Sequence, residues 1–186
     1  MKKILAILFV VALVVGLANA QGKIALGVNA GIALPMGDFA DGYDMGFGGN
    51  ALFVYHATPN VDVTASAGYL TWSGKDESEA TFSSIPVMVG ARYLFGQGKF
   101  NPYIGAELGM HFTTFDVPEV VIPEVGTFGG RSESDSNFGW GAGAGFLYQI
   151  GNNMDLDVNV RYNSITASGG SSDYLSAMVG LLFGLN

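Results

Sequence analysis

Apolar residues recur at every second position in eight separate stretches of this chain, and beyond residue 20 no run approaches 18 apolar residues. The first stretch, KIALGVNAGIAL (Lys23 to Leu34), puts Ile24, Leu26, Val28, Ala30, Ile32 and Leu34 on one side. Lys23, Ala25, Gly27, Asn29, Gly31 and Ala33 fall on the other. A period of two is that of a strand, because successive side chains point to opposite faces. The others cover about 46–57, 61–72, 85–96, 102–115, 138–150, 154–166 and 174–186. Each is close to the roughly 9–11 residues that a tilted strand needs to cross a membrane. Composition agrees: 49% of residues are apolar and only 13% charged, so the grease is spread by alternation rather than by runs, as in a transmembrane β-barrel.

The connections alternate in length. After the second, fourth and sixth stretches they are tight and rich in Pro, Gly and Asn, as at Pro59-Asn60 and Gly151-Asn152-Asn153. After the odd-numbered ones they are longer, the longest being 116–137. Short periplasmic turns and long outer loops are the layout of outer-membrane barrels. The expected fold is therefore all-β: an eight-stranded antiparallel up-and-down transmembrane β-barrel. No internal repeat beyond this meander is visible.

The first 20 residues read differently. Lys2 and Lys3 lead an apolar run from Ile4 to Ala18, and Ala18-Asn19-Ala20 supplies the small residues of a cleavage site. That is a secretory signal peptide, too short to span a bilayer as a helix. Residues 1–20 are expected to be removed and 21–186 to form the barrel domain. Without Lys2 and Lys3, six basic residues face sixteen acidic ones, a formal charge of −10. Such a chain is a poor nucleic-acid ligand, since phosphates need cations. With no cysteine, cross-links do not stabilise it.

Setting the faces from apolar residues alone tests the assignment. The outward sets become Val61 to Tyr69, Ile85 to Tyr93, Ile104 to Phe112 and Met154 to Tyr162, each by alternate residues. Every strand charge then falls inward: Lys23, Asp62, Arg92, Glu107, Asp155, Asp157 and Arg161. A basic residue on the lipid face at mid-bilayer costs about 2–4 kcal/mol, so hydrocarbon wets the oily side. The interior of eight strands is only wide enough for side chains. Gly139, Gly141, Gly143 and Gly145 point inward as a bare groove, and Tyr103, His111 and Phe115 on the neighbouring strand are expected to fill it. With a turn at 98–101, Arg92 lies across from Glu107. An interior ion pair is expected there, and a second cluster of Arg161 with Asp155 and Asp157. Tyr55, Tyr93, Phe95 and Tyr148 near the short turns, and Tyr69, Phe112, Phe138, Trp140 and Tyr162 toward the long loops, form two interfacial girdles.

Leu34 to Tyr69 resembles the first hairpin region of the small outer-membrane β-barrel family, the OmpA- and OmpX-like eight-stranded barrels. The likeness rests on Gly37-Asp38-Phe39, Asp41-Gly42-Tyr43, Gly46-Phe47-Gly48 and Thr58-Pro59-Asn60, and extends as a strand pattern over 21–186. It implies a monomer in a Gram-negative outer membrane, inserted from the periplasm by the outer-membrane insertion machinery. It further implies lipopolysaccharide among the surrounding lipids and a structural, adhesive or surface-protective role. The family's last strand usually ends in an aromatic residue; this chain ends Phe183-Gly184-Leu185-Asn186, with Phe183 on the outward parity.

Catalytic chemistry is not evident. His56 and His111 both point inward, outside any clear Ser/His/acid arrangement. Asp38, Asp41 and Asp44 are spaced by three, whereas calcium loops space their ligands by two and end in Glu. Neither a cofactor nor a metal is expected, although twelve of the sixteen acids fall in long loops, where weak divalent-cation bridging to anionic lipid is a hypothesis. EVVIPEVGTF (Glu119 to Phe128) either extends the strands as an exposed hairpin or folds back. The expected function is a non-catalytic envelope structural protein or adhesion scaffold acting through its acidic loops, 116–137 above all. The alternatives are a lipid-modifying enzyme on the same fold and a narrow solute pore.

Overall fold

A computed structural model describes residues 24–75, 80–122, 126–167 and 169–185. The expected signal peptide and Lys23 lie outside them. The order is β1 (Ile24–Met36), α1 (Asp38–Gly42), β2 (Gly46–Thr58), β3 (Val61–Ser73), β4 (Thr81–Leu94), β5 (Phe100–Ile122), β6 (Gly126–Gly151), β7 (Met154–Ala167) and β8 (Gly170–Leu185). The strands form a closed antiparallel barrel in sequence order, β8 returning to β1. Among the described residues no helix is long and apolar enough to cross a membrane; strands do the crossing.

Closure has a definite stagger. Pairing from Ile24 runs through Tyr55, Val63, Ala91, Ala106, Ala142, Tyr162 and Leu175 and comes back to Leu34, ten residues further along β1. A shear of ten on eight strands tilts each by about 40°, within the usual range for such barrels. At that tilt the ten steps from Phe138 to Tyr148 rise roughly 25 Å, the height of an outer-membrane apolar band.

The alternation sets the two environments. On β1, Leu26, Val28, Ile32 and Leu34 are exposed while Ala25 and Ala33 are buried. Val63, Ile85, Val89, Ile104, Leu108 and Val160 likewise face outward. This exposed apolar belt is edged by aromatic pairs, Tyr93–Phe95 and Phe100–Phe146 at the short-turn end and Trp140–Tyr162 toward the other.

Inside, two apolar clusters close the barrel. The lower holds Ala25, Val54, Leu94, Tyr103, Leu147 and Leu182. The upper is aromatic. Gly37, at φ 55, turns the chain out of β1 through a left-handed conformation open to glycine, and α1 then sets Phe39 into the mouth. The Phe39 ring lies 4.8 Å from Tyr43, 5.5 Å from Trp72 and 5.4 Å from Phe82. Trp72 continues to Tyr174 at 5.1 Å and donates its Nε1 proton to the Ala33 carbonyl at 3.0 Å. A buried indole N–H needs such an acceptor. Burial among these rings raises the Tyr43 hydroxyl above its ordinary pKa.

Candidate functional site

The interior charges meet, but in pairings different from those expected. Arg92 stands directly opposite Asp62, not Glu107, and its Nε donates to Asp62 Oδ2 at 2.6 Å. Arg92 Nη1 also reaches Asp157 Oδ2 at 3.5 Å, and Tyr103 donates to Asp157 Oδ1 at 2.7 Å. The expected Arg92–Glu107 pair fails on register. Phe95 N bonds Pro102 O at 2.8 Å, which centres the turn earlier than 98–101 and sets Arg92 across from Gly105, Glu107 across from Gly90.

Glu107 instead takes Arg161, whose Nη1 lies 2.6 Å from Glu107 Oε1. The expected Arg161–Asp155–Asp157 cluster is thereby corrected: Asp157 goes to Arg92, and Asp155 joins neither pair. The two partners sit on β7 and β5, with β6 between them. Glu107 faces Gly141 and Arg161 faces Gly143, so the intervening strand presents no side chain and the guanidinium passes over it. The same groove receives Tyr103, whose hydroxyl lies 2.7 Å from where a Gly145 Cβ would stand, and the His111 ring, which fills the place of a Gly139 Cβ. Phe115 pairs with Glu133 rather than a glycine, above the groove.

Between Asn29, Asn50, Arg92, Glu107, Asp157 and Arg161 remains a cavity of about 20 Å³, room for a single water. His56 Nδ1 lies 2.7 Å from Asp62 Oδ1. His111 Nδ1 lies 3.0 Å from Ser84 Oγ, with both residues buried and His111 Nε2 unpartnered among the described residues. Ser84 escaped the sequence reading because only the β4–β5 register brings it near His111. Asp62 was legible as an inward charge, but its partner was not. Among the described residues no three His, Asp or Glu side chains converge to hold a metal, Asp38, Asp41 and Asp44 included.

The segment 116–137, read from sequence as a loop, is strand for nearly all of its length. β5 and β6 stay paired from Phe100↔Tyr148 up to Ile122↔Gly126. Their neighbours stop sooner: β4 leaves β5 at Asp116, and β7 leaves β6 at Phe138. Alternation and β-branched residues simply continue the ladder past the membrane. Of the two conformations open for Glu119 to Phe128, the extended hairpin is the one formed, with residues 123–125, Glu124 among them, outside the described residues. Side chains pin the base: Asn137 Nδ2 donates to Thr113 Oγ1 at 3.0 Å, and Thr114 and Ser134 hydroxyls meet at 3.2 Å. A two-stranded ribbon therefore stands off the barrel, and among the described residues no further strand pairs with either of its edges.

A profile of the outer membrane protein beta-barrel domain matches residues 4–183. The chain belongs to this family. It lies in the bacterial outer membrane, the short-turn end facing the periplasm by the rule of such barrels. No curated protein matches its sequence. Among solved structures, Neisserial surface protein A is 20% identical with a TM-score of 0.64, over 86% of this chain and 96% of that one. A major outer membrane protein from Thermus thermophilus is 14% identical with a TM-score of 0.63, over 87% of this chain and 98% of that one. Ail, the attachment invasion locus protein of Yersinia pestis, is 16% identical with a TM-score of 0.54, over 88% of this chain and 99% of that one. At these identities the likeness is one of fold.

Proposed function

We propose that this barrel is a non-catalytic surface-binding protein that uses the β5–β6 hairpin as its adhesive element while the barrel anchors it among outer-membrane lipids, lipopolysaccharide included. The observation behind this reading is the ribbon itself. Strand edges are normally shielded because they template further pairing, and β-strand addition is a general mode of peptide recognition. A barrel has no edges at all, so twelve residues of β6 beyond its contact with β7 are a departure that binding explains. Adhesion is also in keeping with the name of the attachment invasion locus protein, a structural relative. The lipid-modifying alternative has less support: the Ser84–His111 pair is fully buried and away from lipid.

Trimming the ribbon tests the proposal. Replacing residues 115–133 by Asn-Gly keeps Thr114 opposite Ser134 and closes a two-residue hairpin of favoured type. The trimmed barrel should still show heat-modifiable migration in gels, and cells carrying it should lose adherence to matrix-coated surfaces. Trimmed cells that adhere like the parent overturn the proposal.

A further inference from the structure

The two edges of the ribbon are not equivalent. β5 keeps its partner β4 up to Asp116, leaving six strand residues free. β6 is free from Gly126 to Asn137, more than the five or six residues of an ordinary strand. That edge is interrupted once. The ladder skips the step between Val117↔Arg131 and Glu119↔Gly129, where Pro118, with no N–H to give, falls opposite Gly130 at φ 68. Below the interruption Arg131 to Asn137 is continuous strand, and Arg131 to Ser136 are all exposed.

The chemistry along these residues alternates with the pleat. Ser132, Ser134 and Ser136 continue the outward parity of Phe138 and Trp140, while Arg131, Glu133 and Asp135 continue the inward parity. One face is thus low and hydroxylated, and the other is ionic. Arg131 is already engaged, its Nη2 on Glu133 Oε1. Asp135 has its backbone carbonyl on Thr113 but no cation within the described residues. Asp135 stands opposite Thr113, and Asp116 on β5 stands opposite Ser132 on the other face, so the ribbon base carries excess negative charge.

We infer that the β6 edge from Arg131 to Asn137 takes an extended basic peptide with lysine or arginine at alternate positions, added as a further antiparallel strand. This rests on the adhesive reading of the hairpin and names its partner class. Alternate cations on the added strand fall on one face, opposite Glu133 and Asp135, and small polar residues between them lie over the serines. Cross-strand pairs of opposite charge stabilise and like charges destabilise, so an acidic strand is rejected at the same edge.

The test uses the refolded full barrel in lipid nanodiscs at physiological salt, with fluorescent synthetic peptides read by anisotropy. Thr-Lys-Thr-Lys-Thr-Lys-Thr should bind about fivefold more tightly than its isomer Lys-Thr-Thr-Lys-Thr-Thr-Lys, in which no two lysines stand two residues apart and only one carboxylate can be paired at a time. Backbone N-methylation at alternate residues should abolish binding by the first peptide, since strand addition needs those N–H groups. The double variant Glu133→Lys, Asp135→Lys should invert the preference toward the Thr-Glu alternating peptide. Deletion of 119–128, which leaves 131–137 in place, should bind like the parent, and the 115–133 trim should not bind. Equal affinity for the two lysine isomers, or for the N-methylated peptide, overturns the inference. If that happens while the trim still removes adherence, the adhesive reading stands and only its partner class falls.

Discussion

Arg92 and Asp62 face each other across the β3–β4 pair, both almost wholly buried, with 2.6 Å between Nε and Oδ2. Removing one partner leaves the other charged in a dry site. Asp62→Asn should lower barrel stability by about 3–5 kcal/mol, read as the urea midpoint of unfolding from lipid vesicles. A double-mutant cycle should give strong coupling for Arg92 with Asp62 and weak coupling for Arg92 with Glu107. The reverse order contradicts the register.

The Arg161–Glu107 pair depends on the bare middle of β6. Gly143→Leu would drive a Cβ against the Val160 carbonyl and the Arg161 backbone, and so should displace Arg161 and act in part like loss of the pair. Overpacking of this kind costs typically about 1–3 kcal/mol. Gly143→Leu and Glu107→Gln together should destabilise by less than their sum, since each removes the same contact.

At Gly139 an added Cβ would run into the His111 ring. Gly139→Val should therefore destabilise, and His111→Ala in the same chain should recover part of the loss by vacating the groove. Recovery is measured as a shift of the urea midpoint toward the parent. A Gly139→Val barrel of unchanged midpoint would show the groove to be unfilled.

Hydrocarbon against the outer face has its own signature. Val160 is 46% exposed on that face, and Val160→Arg should cost about 2–4 kcal/mol in a bilayer if it lies near the midplane. The neighbouring interior position Asn159 should show no such dependence on lipid. A penalty that persists unchanged in short-chain detergent would argue for a cause other than membrane burial.

Between its charged side chains the interior leaves a cavity of about 20 Å³, room for one water. Planar bilayers with the purified barrel should show no unitary current. Phe39→Ala should leave them silent too, because Trp72, Tyr174 and Phe82 still close the mouth. Ohmic single-channel steps from the parent protein would contradict the filled interior.

Much of this architecture is legible in the sequence. Strand number, pairing order and the side each residue faces follow from period-2 alternation, because one strand has only two faces and lipid tolerates only one kind of residue. Gly139 to Gly145 announced a groove, and Tyr103 and His111 were correctly aimed at it. The partners of Arg92 and Arg161 were misread, because the choice between Glu107 and Asp62 turns on a register shift of two residues at the β4–β5 turn. The course of 116–137 was open for a related reason: alternating residues above a membrane have no lipid to commit them to one face.

The sequence by itself determined the wall, its eight crossings and its greasy outside, since these arise from local alternation and the cost of charge in hydrocarbon. Only the closed structure decided which charges meet and which edge is left bare. Those depend on contacts between residues far apart in the chain, brought together by stagger and closure, and no local pattern encodes them.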